Sequence, residues 1–254
     1  LALCLADLSR TILVKYLFVS VAAVFAFNIL ICGSRNGLLG LVSVGGLGII
    51  FMKRISRPVR IGVLALLVVS IVGFGIANVL SRSDIQGSGL TGDASSESRI
   101  VQWKACIRMT LHHPLLGVGP NESRFNMVDF GGVRGLMPHN TLVQVFAETG
   151  MPGGLFFVMC TIYPLWEAYK FFKINRDKMA DPSVVLYKYL IIALVSFWVC
   201  AFFSNRVYFK ILYVLVALIV ALRENILTKQ QELIPTCERE RPSVLSNKSS
   251  LQSN

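Results

Sequence analysis

Three histidines stand in this chain, His112, His113 and His139, and arginines recur around them: Arg99, Arg108, Arg124 and Arg134, with Arg35 and Arg206 further off. A free imidazole, with an ordinary pKa near ~6.5, can take a proton from a hydroxyl close to neutral pH. A guanidinium presents a planar fork of N–H donors that suits phosphate oxygens. Together such groups could serve a reaction in which a hydroxyl attacks a phosphate-linked carbon. His139 follows Met137-Pro138, precedes Asn140 and opens an apolar helix over 141–149. That helix ends at Gly150-Met151-Pro152-Gly153-Gly154. Neighbouring arginines would lower the imidazole pKa and keep it neutral, ready as a base. Capping the helix is its plainer role.

Each other candidate also has two roles open to it. Arg35 sits in Gly33-Ser34-Arg35-Asn36-Gly37, a tight hand-over between two apolar runs. It either snorkels to lipid headgroups or binds a buried anion, which would offset its desolvation. Arg99 stands beside Glu97 and could form no more than a surface ion pair, worth ~0–1 kcal/mol. Glu148 fits a packing or hydrogen-bonding role better than partnership with His139. A carboxylate pair among Asp84, Asp93, Glu97, Glu122, Asp129 and Glu148 stays open. His112-His113-Pro114 lacks a third ligand at metal spacing and is expected to stop a helix. Gly117-Val118-Gly119-Pro120 is neither a P-loop nor GxGxxG, so nucleotide binding has little support.

The elements that must hold these residues are apolar. Of 254 residues, 54% are hydrophobic and 15% charged, where soluble domains average ~25% charged. That excludes a disordered chain, a nucleic-acid-binding tail and an ordinary soluble enzyme. It predicts an all-α, polytopic membrane protein. Six spans are expected, over 11–32, 37–52, 61–80, 153–172, 184–203 and 207–222. The second is short and holds five glycines, which let helices approach closely. The division is then 1–80 for three spans, 81–140 for a long loop, 141–225 for three more spans and 226–254 for a disordered tail. The six cysteines form no CxxC pair and read as small hydrophobes rather than a disulfide or zinc framework. The chain opens at Leu1 inside an apolar stretch, which suggests that a longer protein precedes it.

Charge orients the set. Lys53, Arg54, Arg57 and Arg60 crowd one connection and Lys170, Lys173, Arg176 and Lys178 another. Both are expected to be cytoplasmic by the positive-inside rule, as are both termini. The loop over 81–138 then lies on the outer face, with all three histidines. Within it Ile100, Trp103, Ile107 and Leu111 fall at helical spacing, predicting an amphipathic helix over 97–111 resting at the membrane interface. Asp93 and Ser95 or Ser96 supply its N-cap chemistry.

Three pieces in this order carry a resemblance. Gly33-Ser34-Arg35-Asn36-Gly37 is an arginine-bearing turn. Trp103-Lys104-Ala105 with His113-Pro114-Leu115-Leu116-Gly117-Val118-Gly119 forms a loop signature. His139-Asn140, nine residues and Gly150-Met151-Pro152-Gly153 form a His-x10-GxxG pattern. Over roughly 20–225 the chain resembles the O-antigen ligase and polymerase superfamily of bacterial envelope glycosyltransferases. Members carry about twice as many spans, so this chain resembles their C-terminal part.

The resemblance implies an inner-membrane enzyme working on the periplasmic face. The donor would be a glycan on undecaprenyl diphosphate, and the acceptor a hydroxyl of lipid A–core or of another glycan. The residue matching the motif histidine, His139, would activate that hydroxyl. Arg35 and Arg99 would hold the diphosphate, with Arg206, Asn140 and Glu148 as secondary site residues. No cofactor, metal or nucleic acid is implied; membrane lipid is a partner. A polymerase of the same superfamily is the first alternative. A non-catalytic polysaccharide transporter or flippase subunit is the second, and a zinc hydrolase a remote third.

Overall fold

The computed structural model describes residues 2–9, 11–32, 34–51, 92–175 and 181–239. Among these the chain is helical, without strands. The order is α1 (Ala2–Leu8), α2 (Ile12–Ile31), α3 (Arg35–Phe51), α4 (Gly92–His112), α5 (Ser123–Asn126), a 3-10 turn (Val128–Phe130), α6 (Thr141–Ile174), α7 (Pro182–Ala201) and α8 (Lys210–Arg239).

Four helices, α2, α6, α7 and α8, are long and apolar enough to cross a membrane. They match the first and the last three expected spans. The second expected span is α3, whose apolar stretch, Asn36–Gly48, is shorter. The third, 61–80, and the basic connection at 53–60 lie outside the described residues. Spanning helices need roughly 20 apolar residues because each residue rises only ~1.5 Å. α2 shows the expected consequence: Leu13, Leu17 and Phe25 stand exposed along it, as side chains that face hydrocarbon would.

Packing gathers the last three spans. Phe157 and Phe171 of α6, Tyr187, Ile191 and Leu194 of α7, and Leu212, Ile219 and Ile226 of α8 form one buried cluster. At the end of the bundle away from His139, Arg223 of α8 pairs with Glu167 of α6 at 2.6 Å, and Lys170 lies 3.2 Å from the same carboxylate. α7 opens on Pro182, with the Asp181 side chain accepting from the Ser183 N–H at 2.8 Å, a well-capped start.

Two boundaries differ from the sequence reading. α4 starts at Gly92 rather than 97, so Asp93, Ser95 and Ser96 lie inside its first turns instead of capping it. α8 continues to Arg239, well into the stretch from 226 expected to be a disordered tail. The reason is continued apolar spacing: Ile226 is buried in the cluster, seven residues after Ile219, and Leu227 packs beside it.

The loop has a small core of its own. Ala105, Cys106 and Met109 of α4 meet Met127 and, on α6, Ala147, all fully buried. α4 therefore lies along the first third of α6. Its outward side carries Ile100, Ile107 and Leu111, each about half exposed or more.

Candidate active site

His139 is held from both sides. Before it, the Pro138 carbonyl accepts a hydrogen bond from the Trp103 indole N–H. After it, Asn140 caps α6, its side chain accepting from the Val143 N–H at 3.1 Å. Between these anchors His139 takes φ 49°, a left-handed conformation that costs a non-glycine residue roughly 1–3 kcal/mol and persists where the surroundings impose it. Arg99 lies one helical turn before Trp103 on α4. Partial desolvation, followed by the Arg99 charge, lowers the His139 pKa from its ordinary value. The imidazole is therefore biased towards its neutral, proton-accepting form.

The turn between α7 and α8 joins the remaining elements at this end. Thr141, beside the cap, donates its hydroxyl to the Ser204 carbonyl at 2.6 Å, and its oxygen accepts from the Arg206 N–H at 2.9 Å. Asn36, next to Arg35, donates its side-chain amide to the Phe203 carbonyl at 3.0 Å. The Cys200 thiol meets the Asn36 carbonyl at 3.2 Å. Phe202 lies edge-on to Trp103, ring centres 6.1 Å apart. One short turn thus touches the start of α3, the middle of α4 and the start of α6.

A second junction sits within α6. The helix breaks at Gly150 (φ 71°, ψ −174°), and Pro152 has no N–H with which to bridge the gap. The chain supplies replacements from the loop. The N–H groups of Val118 and Gly119 donate to the carbonyls of Ala147 and Glu148 at 2.9 and 3.0 Å. The Met151 N–H turns instead to Pro114 at 2.7 Å. The backbones meet so closely that both contact residues must be glycine. A Cβ at Gly117 (φ +67°) would lie 2.4 Å from the Glu148 carbonyl carbon, and one at Gly150 (φ +71°) 2.7 Å from the Leu115 carbonyl. The His113–Gly119 signature and the Gly150–Gly153 motif are two halves of one joint.

Glu148 lies at that joint with no exposed surface. Its Oε1 accepts from the Ser123 hydroxyl at 2.6 Å and from the Gln144 amide at 3.0 Å, while its Oε2 accepts from the Tyr208 hydroxyl. Loop, helix and turn are thereby tied to one carboxylate. Burial, and next the hydrogen bond to Glu148, push the Tyr208 hydroxyl pKa up. Burial, followed by Glu148, pushes the Cys106 thiol up to about 12, so that cysteine is an unreactive core residue.

The expected site residues therefore fall into three groups. Arg99 and His139 belong to one end of the molecule, where the Arg99 charge acts on the imidazole and Trp103 bonds the residue before His139. Arg35 opens α3, where its neighbour Asn36 is bonded to the same turn that carries Arg206. Arg206 is exposed there, its guanidinium 5.3 Å from the centre of the Phe209 ring. Asn140 is a cap and Glu148 a buried hydrogen-bond centre. His112 and His113 end α4 before Pro114 and lie against Phe130, at 5.5 and 6.1 Å. Among the described residues no three His, Cys, Asp or Glu side chains gather as a metal site. Sequence reasoning passed over Thr141, Gln144 and Tyr208. Only Gln144 carried a local signal, standing one turn before Glu148 on the same helix face.

The chain is similar to two curated proteins, each named "Putative polysaccharide ligase". One is from Rickettsia conorii, 23% identical over 192 residues, covering 70% of this chain and 46% of that protein. The other is from Rickettsia felis, 23% identical over 184 residues, covering 67% and 44%. The chain thus spans less than half the length of these relatives. No solved structure matches it. The family model described as O-antigen ligase matches residues 18–158, more than half of the chain and including both halves of the Gly117–Gly150 joint. This chain belongs to the O-antigen ligase family.

Proposed function

We propose that the protein transfers a glycan from undecaprenyl diphosphate to a hydroxyl of lipid A–core, on the periplasmic face of the bacterial inner membrane. His139 is the base, and Arg99 and Arg35 hold the diphosphate, with Arg206 adding positive charge at the rim. The acceptor hydroxyl gives its proton to the His139 imidazole while its oxygen attacks the anomeric carbon. The bond from that carbon to the diphosphate oxygen breaks, and its electron pair leaves with the diphosphate. Fixed guanidinium groups stabilise the charge developing there. Holding two lipid-anchored substrates side by side removes much of the entropic barrier. Single displacement inverts the anomeric centre.

The observation that carries this reading is the hydrogen bond from Trp103 to the Pro138 carbonyl, which ties the residue before His139 to the helix that carries Arg99. A base that must be neutral stands where a cation lowers its proton affinity, and that cation suits the anionic leaving group. The orientation draws support from Lys170 and Lys173, which lie towards the opposite end of α6. The test is transfer from a lipid-diphosphate glycan by the full-length protein in liposomes. His139→Ala should lower the rate by about 10²–10⁴-fold, the usual worth of general base catalysis. Arg99→Ala and Arg35→Ala should weaken donor use. A His139→Ala protein transferring at the wild-type rate, or a product with retained configuration, overturns the mechanism.

A further inference from the structure

A cavity of about 210 Å³ opens beside the candidate site, lined by Met137, Gln144, Asn205, Val207, Tyr208 and Phe209. Two of its lining residues each carry a buried oxygen without a hydrogen-bond partner, Gln144 Oε1 and Asn205 Oδ1. The Gln144 side chain is 1% exposed, and its orientation is fixed. Its amide nitrogen donates to Glu148 Oε1 at 3.0 Å, and a carboxylate acceptor takes only the NH₂ end. The carbonyl oxygen is thus left to face elsewhere, and an unmet buried acceptor costs about 1–3 kcal/mol. Such a site calls for O–H or N–H donors.

We propose that this cavity binds a sugar ring of the acceptor, its hydroxyls donating to Gln144 and Asn205 and its apolar face lying against Phe209 and Val207. The proposal rests on the glycosyl-transfer reading above. Three features assign the cavity to the acceptor rather than to the donor diphosphate. The polar atoms left without partners among its lining residues are both acceptors, and Gln144 bonds the Glu148 carboxylate, so an anion with no proton to give is disfavoured there. Its residues come from the flanks of His139 and from the α7–α8 turn, none from α4, which carries Arg99. Its volume lies below the ~300–1,000 Å³ of pockets for drug-sized ligands, so it accommodates one ring of a larger glycan. The ring held there would present a neighbouring hydroxyl to the base two residues beyond Met137.

The test uses the full-length protein in liposomes, with donor and acceptor varied separately. Gln144→Met keeps the side-chain length and removes the acceptor oxygen. Asn205→Ala removes the second oxygen without touching Glu148, so it reports even if Gln144→Met loosens the fold. Each should raise the KM for acceptor about three- to ten-fold, the worth of one neutral hydrogen bond, with donor KM unchanged. Titration of water-soluble core oligosaccharide into the His139→Ala protein should show binding that Gln144→Met weakens by a similar factor. This separates the two claims: an active His139→Ala protein overturns the base, whereas the titration reads the cavity alone. Raised donor KM with unchanged acceptor KM would reassign the cavity to the donor and overturn the proposal. Unchanged KM for both substrates in both variants, with no change in the titration, would mean that the cavity holds only water, and would also overturn it.

Discussion

The indole N–H of Trp103 donates to the carbonyl oxygen of Pro138, so the residue before His139 is held by the helix that carries Arg99. Separation and orientation of the proposed base and cation are therefore set by one side chain that touches neither the proton nor the phosphate. The same ring packs on Phe202, which links this pair to the turn bearing Arg206. Trp103 is in this sense a positioning residue.

Its removal has a signature in pH. A base must be unprotonated to act, so activity should rise with pH through the His139 pKa. Desolvation and Arg99 place that pKa below the ordinary value. Trp103→Phe should let His139 drift from Arg99, moving the acid limb of the rate profile to higher pH and lowering kcat/KM by about ten-fold. A rate profile over pH ~5–8 decides it; a lower rate with an unmoved limb would mean that Trp103 only supports the fold.

The joint within α6 should tolerate no side chain. Gly117→Ala and Gly150→Ala each force a left-handed alanine, roughly 1–3 kcal/mol, and a collision with backbone besides. Each should destabilise the protein by more than about 2 kcal/mol. Because both open the same contact, the double variant should lose less than the sum of the two. Thermal unfolding in detergent, with protease sensitivity near residue 117, measures this.

Glu148 should matter for stability before chemistry. Tyr208→Phe removes one donor from its carboxylate and should cost about 1–3 kcal/mol. Glu148→Ala strands the donors of Ser123, Gln144 and Tyr208 and should cost more, about 3–5 kcal/mol. A double-mutant cycle on the melting free energies should show that the Tyr208 effect nearly vanishes once Glu148 is gone.

Asn140 offers a contrast within the motif itself. Asn140→Ser keeps a capping oxygen and should change stability little, while Asn140→Ala should cost about 1 kcal/mol. Neither should alter the KM for donor or acceptor. A KM effect in the serine variant would give Asn140 a role in binding beyond the cap.

Hydropathy made the spans legible, because hydrocarbon selects only on length and apolarity. α2, α7 and the lower part of α6 needed nothing more. The face on which α4 would pack was harder to read. Ile100, Trp103, Ile107 and Leu111 form the more apolar stripe, yet Ala105, Cys106 and Met109 form the small core with Ala147 of α6, and Gln102 bonds the loop at Val133. Small side chains let the two backbones approach; Ile100, Ile107 and Leu111 are left outward, while Trp103 turns in to Pro138 and Phe202. His139 and Arg99 were singled out together only through resemblance, since no spacing rule joins residues forty apart across a loop. Gln144 and Tyr208 were invisible for the same reason: their meaning comes from a carboxylate shared across three segments.

The break at Gly150 has a consequence for how the family could diversify. A helix whose missing rungs are supplied by a distant strap is stapled at both ends of the intervening stretch. Within the segment between Gly119 and Met137, Ser123 is fixed by the Glu148 carboxylate, Met127 by the small core on α4 and Val133 by the Gln102 side chain. The exposed positions between them, Phe125 and Val128 among them, can change while the strap, the broken helix and the histidine beyond it keep their register.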